Sequence, residues 1–193
     1  MEEYAETKAR VDDLTAQQQD LKRAEMDLRE LIERLLIQMR STFVENFSKM
    51  QGYFAETFTR LFGGGHAELK LMDPDDPLNC GIEVNADGPV KKLQLLSLLS
   101  GGERALTAIA ILFAMLKLKP TPFCILDEIE AALDDANIGY YADYLKEYSK
   151  GTQFIVVTHR KGTMERCNSL FGVAMEEQGV SRMVSVSLQD YQE

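Results

Sequence analysis

Two acidic residues directly follow an apolar run and form the clearest chemical pattern in this sequence. Residues 123–126 are apolar, and Asp127 and Glu128 come next. A carboxylate at the end of a buried strand can hold Mg²⁺ through its water shell. The following residue points in a different direction, so Glu128 can polarise an attacking water molecule. The pair is compatible with metal-assisted hydrolysis, but two acids after an apolar run are a weak signal on their own.

Further acids follow within a few residues. Glu130, Asp134 and Asp135 would repel the first two carboxylates unless a cation were present. An alternative for Asp134 and Asp135 is an ordinary helix start, because acidic residues favour the positive end of the helix dipole. The sequence around these two residues leaves both interpretations open.

A glycine turn precedes a long apolar helix upstream of the acids. Ser100, Gly101 and Gly102 lead into the apolar run 105–116. Unpaired N–H groups at a helix start attract phosphate, and glycines allow the backbone to approach a ligand closely. An ordinary capped helix, with Ser100 at the N-cap and Glu103 in the first turn, explains the same residues. The turn alone does not decide between an anion site and a cap.

His159 follows the apolar run 154–157 and Thr158. A hydrogen-bonded histidine at the edge of the core is the usual explanation for a single histidine in such a place. Residues 63–65 are three glycines, but they lack the G-x-x-x-x-G-K-[ST] order of a phosphate loop and indicate the end of a helix. That order occurs nowhere in the sequence.

The four stretches resemble, in their order and spacing, the motifs of ABC-type ATPases. Residues 99–103 have the form of the signature loop, and 123–128 have the form of a Walker B strand with its following glutamate. Residues 131–134 fit the D-loop, and 154–159 fit the strand that ends in the switch histidine.

The particular residues within these motifs narrow the resemblance to one group of these ATPases. Transporter ATPases usually carry a proline after the Walker B glutamate, whereas this chain has Ile129. With SGGERALTA, THRKGTM and DPDDPLNCGIEV, the sequence is similar to the C-terminal head segment of SMC (structural maintenance of chromosomes) proteins of the bacterial type. The similarity covers about residues 40–188, and residues 1–39 look like the end of the coiled-coil arm.

The resemblance implies an α/β fold: the C-terminal half of an ABC-type ATPase head, with layered sheet and helices and an N-terminal coiled-coil stub. It implies ATP as the nucleotide, Mg²⁺ held by Asp127, catalysis by Glu128 and γ-phosphate sensing by His159. The residues implied in nucleotide contact are Leu99, Ser100, Gly101, Gly102, Glu103 and Asp134.

The resemblance also implies partners. In SMC proteins the Walker A motif lies on the N-terminal half of the head, and ATP sits between two heads. We therefore expect the N-terminal half, a second head, a kleisin subunit and DNA as partners, in chromosome condensation and segregation. The kleisin is expected on residues 169–190, where Met183, Val184, Val186 and Leu188 alternate with other residues. Without Walker A, this chain alone is expected to hydrolyse almost no ATP.

Composition agrees with this class of protein. The chain has 193 residues, 45% hydrophobic, and a formal net charge of -10, which argues against a general nucleic-acid surface. The start of the chain lacks the apolar core of a signal peptide, and the apolar run 105–116 is too short to cross a bilayer. We therefore expect a soluble, cytoplasmic, nucleoid-associated protein with reduced cysteines.

Periodicity predicts two regions, a coiled-coil arm over 1–40 and a head over 41–193. Leu14, Leu21, Leu28 and Leu35 recur every seven residues, which is typical of a coiled-coil seam. A long surface helix is the alternative. The head should contain a continued helix to Leu61, helices over 102–118, 135–149 and 161–167, and strands over 67–71, 81–86, 123–127, 153–158, 169–175 and 182–188.

Two other functions remain open from the sequence. A DNA-repair ATPase of the Rad50 or RecN type has a similar arm and signature, although DEIEAALDDAN and THRKGTM fit SMC proteins better. A non-catalytic module that only presents an arm and a kleisin surface is the second, and the presence of Asp127, Glu128 and His159 argues against it.

Overall fold

Helices and strands alternate along the part of the chain that the structure, a computed structural model, describes: residues 2–87, 94–95 and 98–187. Leu188, the last residue of the strand predicted over 182–188, lies outside this part. The elements are α1 (Glu2–Leu61), β1 (His66–Leu71), β2 (Ile82–Asp87), β3 (Gln94–Leu95), α2 (Gly101–Leu118), β4 (Phe123–Asp127), α3 (Asp135–Tyr148), β5 (Gln153–Val157), α4 (Lys161–Met164), β6 (Ser169–Glu177) and β7 (Val180–Ser187).

Helix α1 joins the predicted arm to the predicted head without a break. Its heptad leucines are exposed, with Leu21 at 72%, whereas Phe54, Phe58 and Leu61 near its C-terminus are fully buried. The helix ends as predicted at the three glycines, because all three have positive φ and the N–H of Gly64 donates to the carbonyl of Thr59 at 2.8 Å. Only the last turns of α1 therefore belong to the core.

The strands form three small sheets within the described residues. β1, β2 and β3 are antiparallel in that order, and β3 was not predicted. β4 and β5 are parallel, so that Asp127 lies opposite Val157 at their carboxyl ends. β6 and β7 form an antiparallel hairpin. The α/β class is confirmed.

The core lies where α1, α2 and α3 meet. Leu106, Ala110 and Phe113 of α2 are fully buried, as is Tyr141 of α3. The ring of Phe113 lies 5.0–6.3 Å from the rings of four residues on α3 and β5: Tyr141, Tyr144, Tyr148 and Phe154. None of the described helices is long and apolar enough to span a bilayer.

Several element ends differ from the predicted ones by a few residues. β5 stops at Val157 because the N–H of Arg160 turns back to the Thr158 hydroxyl at 3.0 Å. α4 stops at Met164, since the N–H groups of Arg166 and Cys167 bond to carbonyls three residues earlier. The last two strands extend further, and the turn between them contracts to residues 178–179, where Gly179 has φ 83°.

Replacing Phe113 with alanine should lower the free energy of unfolding by about 3–5 kcal/mol, because the ring is the shared contact of α2, α3 and β5. Phe123→Ala is the matched control: its side chain is 55% exposed, and the expected change is within about 0.5 kcal/mol. Guanidinium unfolding of the two variants measures both values. Equal losses at the two positions would contradict this description of the core.

Candidate active site

Glu128 and His159, 31 residues apart in sequence, meet at the carboxyl ends of the parallel strands. His159 Nδ1 lies 3.2 Å from Glu128 Oε1. The backbones are joined as well, since the N–H of Glu128 donates to the carbonyl of Val157 at 3.0 Å. Both side chains are more than half exposed, so the contact adds little stability and remains accessible to a ligand. The structure thus brings together the two residues predicted to catalyse.

The backbone of Glu128 has an unusual conformation. Its φ of 47° places it in the left-handed region, and no other non-glycine residue among those described has a positive φ. Such strain persists only where surrounding contacts hold it, and it concentrates at functional sites. Here the carbonyl of Glu128 accepts from the N–H of Ala131 at 3.0 Å. This turn breaks the alternation of β4 and directs the carboxylate towards His159.

Asp127 ends β4 with an exposed side chain on the same edge. Among the described residues no group of three or more histidine, cysteine or acidic side chains gathers as a metal site. Mg²⁺ does not need such a group, because it usually keeps several waters and binds one or two carboxylates together with substrate phosphates. A single exposed carboxylate at this position therefore fits Mg²⁺ better than a metal that requires a closed protein cage.

The start of α2 is a complete capping box. Ser100 Oγ accepts from the N–H of Glu103 at 3.3 Å, and a carboxylate oxygen of Glu103 accepts from the N–H of Ser100 at 2.8 Å. Leu99 is buried in the core and anchors the turn from inside. The N–H groups of Gly101 and Gly102 lie at the start of the helix, where no carbonyl of the same helix can accept them. The cap and the anion site are therefore compatible, since the Ser100 hydroxyl can still donate its proton.

Asp134 has the structural role that the sequence left open. Its carboxylate accepts from the N–H of Asn137 at 2.9 Å and so caps α3. Asp135 follows in the first turn with a side chain that is 98% exposed. The segment 131–134 adjoins the signature turn: a Cβ added to Gly102 would lie 3.3 Å from the carbonyl oxygen of Ala132. The D-loop and the signature turn of one chain are therefore in contact.

Sequence reasoning missed Arg160. Its guanidinium Nη2 donates to the carbonyls of Ala131 at 3.0 Å and Leu133 at 3.3 Å. Its position next to His159 was the only signal in the sequence, and a contact across 27 or 29 residues cannot be read from local pattern.

Glu130 was expected among acids that repel one another in the absence of a cation, and its side chain is 1% exposed. The hydroxyl of Thr163 donates to its carboxylate at 3.3 Å. Burial, together with this nearby acid, raises the pKa of Tyr141, and the same two causes raise the pKa of the Cys167 thiol. Both groups therefore stay neutral at physiological pH, and Cys167 is a poor nucleophile. The buried hydrogen bond between Thr163 and Glu130 thus connects the loop that follows β4 to α4.

Curated relatives align with the whole chain. It is 51% identical over 193 residues to the chromosome partition protein Smc of Bacillus subtilis, and 53% identical over 189 residues to that of Desulfitobacterium hafniense. The alignments cover 100% and 98% of this chain and 16% of each relative. The chain thus spans about a sixth of the length of these relatives.

Solved structures show the same fold. A Pyrococcus furiosus Smc head domain with an extended coiled coil, bound to the C-terminal domain of ScpA, has a TM-score of 0.77 at 39% identity. The match covers 93% of this chain and 45% of that one. A second solved structure comes from work on the structural biochemistry of ATP-driven dimerization and DNA stimulated activation of SMC ATPases. It has a TM-score of 0.72 at 41% identity, and the match covers 79% of this chain and 92% of that one. The family model for the RecF/RecN/SMC N terminal domain matches residues 4–182, and the chain belongs to that family.

Proposed function

We propose that this chain is the C-terminal part of an SMC ATPase head of the bacterial type. Assembled with the N-terminal part, it would bind and hydrolyse ATP between two engaged heads and so drive chromosome condensation and segregation. One observation carries the proposal: Asp127, Glu128 and His159 lie together at the carboxyl ends of β4 and β5, with Glu128 and His159 3.2 Å apart.

The position within the head is proposed from motif content alone. The sequence holds a signature, a Walker B strand and a switch histidine, but no Walker A motif. One face of the β4–β5 pair also presents exposed apolar side chains: Phe123 55%, Ile125 60%, Ile155 48% and Val157 50%. Parallel sheets are normally covered on both faces. The N-terminal part of the head, carrying Walker A, is the proposed cover.

Each residue at the strand ends has a distinct proposed role. Asp127 would hold Mg²⁺, which when bound supplies positive charge next to the phosphates. Glu128 would accept a proton from the attacking water. His159, held beside Glu128, would donate a hydrogen bond to the γ-phosphate and keep the glutamate oriented. ATP contacts therefore converge on the edge where the two strands end.

The signature turn would face the ATP of the opposing head. Ser100 supplies a hydroxyl donor, and Gly101 and Gly102 supply N–H groups at the positive end of α2. Leu99 and Glu103 would hold this turn in shape, one by core packing and the other through the capping box. Asp134, at the end of the D-loop, would reach the same interface. Engagement of two heads would thereby place two nucleotides between them.

The hairpin β6–β7 is the proposed kleisin surface. Phe171, Val173 and Met175 share one face of β6, and Met183 lies opposite Val173 on the same face. These four side chains are 64–72% exposed. The Pyrococcus furiosus head is bound to the C-terminal domain of ScpA, which supports a partner of that kind here. Of the four predicted contact residues, Met183 is on this face, whereas Val184 pairs with Gly172 and lies on the opposite face. Leu188 and the side chain of Val186 lie outside the described part.

DNA would be a partner of the complete complex. The net charge of -10 gives this chain no general phosphate-binding surface. A cytoplasmic, nucleoid-associated location follows from the proposed role in chromosome organisation.

Glu128→Gln in the assembled head should lower the ATP turnover rate by about 10²–10⁴-fold, because an amide cannot accept a proton from water. Asp127 and the signature turn remain, so ATP should still bind and engaged dimers should accumulate on gel filtration. Glu165→Gln is the control, an exposed glutamate paired with Lys161, and should hydrolyse ATP normally. Turnover of the Glu128 variant within a few-fold of wild type would reject the catalytic role.

Ser100→Arg should abolish ATP-dependent dimerisation of the assembled head while each head still binds ATP. The side chain would occupy the place of the opposing γ-phosphate. It would also remove the N-cap, which typically costs about 1 kcal/mol. Ser100→Ala loses the same cap without the bulk and should keep measurable dimerisation. If the alanine and arginine variants dimerise equally well, as measured by light scattering with ATP, the signature role is wrong.

Val173→Asp and Met183→Asp should each weaken binding of the kleisin's C-terminal domain by about 10-fold or more, as expected for central apolar contacts. Val184→Asp changes a residue on the opposite face of the hairpin, so its binding should be close to wild type. Titration calorimetry measures the affinity, and thermal melting shows that each variant is folded. Equal affinities among the three folded variants would exclude this face as the kleisin surface.

A further inference from the structure

We propose that Arg160 is a positioning residue that holds the D-loop, residues 131–134, against the signature turn of the same head. This inference rests on the proposed function, since it assigns a mechanical role within that site. Arg160 lies within the stretch THRKGTM, but the family resemblance assigns it no role. Its guanidinium nevertheless binds the carbonyls of Ala131 and Leu133.

The guanidinium binds the D-loop backbone at two points. Nη2 donates to the carbonyls of Ala131 at 3.0 Å and Leu133 at 3.3 Å. One nitrogen can reach carbonyls two residues apart only if the chain curls around it. That curl is present, because the N–H of Leu133 donates to the carbonyl of Glu130 at 2.9 Å. Hydrogen bonds from a charged donor are stronger than neutral ones, so the guanidinium fixes the curl.

The backbone of Arg160 is itself fixed. Its N–H donates to the Thr158 hydroxyl at 3.0 Å, and its carbonyl accepts from the N–H groups of Thr163 and Met164 at 3.2 and 3.1 Å. It directly follows His159, which contacts Glu128. The guanidinium is therefore attached to the rigid point where β5 ends and α4 begins. A shift of the switch histidine would be transmitted to the D-loop.

The opposite side of the D-loop lies against the signature turn. The carbonyl of Ala132, between the two that Arg160 binds, is so close to Gly102 that an added Cβ would lie 3.3 Å from it. The loop is thus enclosed between Arg160 on one side and Gly102 on the other. In an engaged pair of heads the signature turn and the D-loop both meet the interface, and Arg160 fixes their relative position.

A simpler role for Arg160 is neutralisation of Asp135. Nη1 lies 3.7 Å from Asp135 Oδ1, but that carboxylate is 98% exposed, so the attraction is weak. The two roles make different demands on the side chain. Neutralisation needs only a positive charge, which lysine supplies. Holding two carbonyls on one nitrogen needs a donor of fixed orientation, which the planar guanidinium supplies and the flexible, strongly hydrated lysine ammonium does not.

The test uses the assembled head with Arg160→Met, Arg160→Lys and the control Arg166→Met. Arg166 is a comparable arginine that pairs with Asp143 and donates to the carbonyl of Gly162, away from the D-loop. For both Arg160 variants we expect kcat for ATP to fall by about 10-fold or more, since small misplacements of a site are costly. The KM for ATP should stay within about two-fold, because Arg160 is given no nucleotide contact. Arg166→Met should lower the melting temperature and leave kcat unchanged.

A second readout does not depend on hydrolysis. Without nucleotide, amide hydrogen exchange at Ala131 and Leu133 should become about 10-fold faster or more in Arg160→Met, whereas Arg166→Met should leave it unchanged. Unchanged exchange at these amides in Arg160→Met would overturn the proposal, and so would full recovery of kcat and exchange in Arg160→Lys. If the wild-type assembled head hydrolyses no ATP, the proposed function fails, and the exchange measurement still decides whether Arg160 holds the loop.

Discussion

The parallel pairing of β4 with β5 is the constraint on which the candidate site depends. It brings the carboxyl end of each strand to the same edge, so that residues 31 positions apart become neighbours. The buried side chain of Leu126 and the half-buried Phe154 and Val156 fix the pair on the helical core. The two loops that leave this edge are then joined by Glu128 with His159, Glu130 with Thr163, and the D-loop carbonyls with Arg160.

The loop that follows β4 has a strained backbone at Glu128 and a buried side chain at Glu130. Glu128 has a left-handed backbone, which costs on the order of 1–3 kcal/mol, and its side chain is exposed. Two residues later Glu130 is buried, with one carboxylate oxygen bonded to Thr163. Moving a carboxylate out of water costs free energy. The fold nevertheless holds the loop through this buried contact between Glu130 and Thr163. The loop is consequently held from inside and presents a strained, accessible glutamate on the outside.

The elements were largely predictable because each has a local signal. The run 123–126 is apolar between Pro122 and the acids, and β4 (Phe123–Asp127) has the predicted bounds. The start of α2 follows from its Ser100 and Glu103 box, and the end of α1 follows from the three glycines. By contrast, β3 is two residues long and carries no period that could be recognised.

The contacts within the site were predictable only where a family motif names both partners. Asp127, Glu128 and His159 were found in this way. Arg160 and the burial of Glu130 were not, because each depends on which loop packs against which after the strands have paired. A surface acid and a buried acid look the same in sequence when both lie in a polar segment. Hydrophobic periodicity predicts which face of a single helix or strand is buried. These contacts join two loops, whose sequences have no such periodicity.

The uncovered face of β4–β5 connects stability to assembly. Its four apolar residues are about half exposed, whereas the opposite face packs on the core. A partner that covers this face only in the folded state stabilises the chain by RT ln(1 + [L]/Kd), so the apparent stability rises with partner concentration. The edge proposed for catalysis lies at the end of the same two strands, since Asp127 continues the face that presents Phe123 and Ile125. If the proposed function holds, the partner that covers this face would also complete the nucleotide site, and the stability of the head would be linked to its activity.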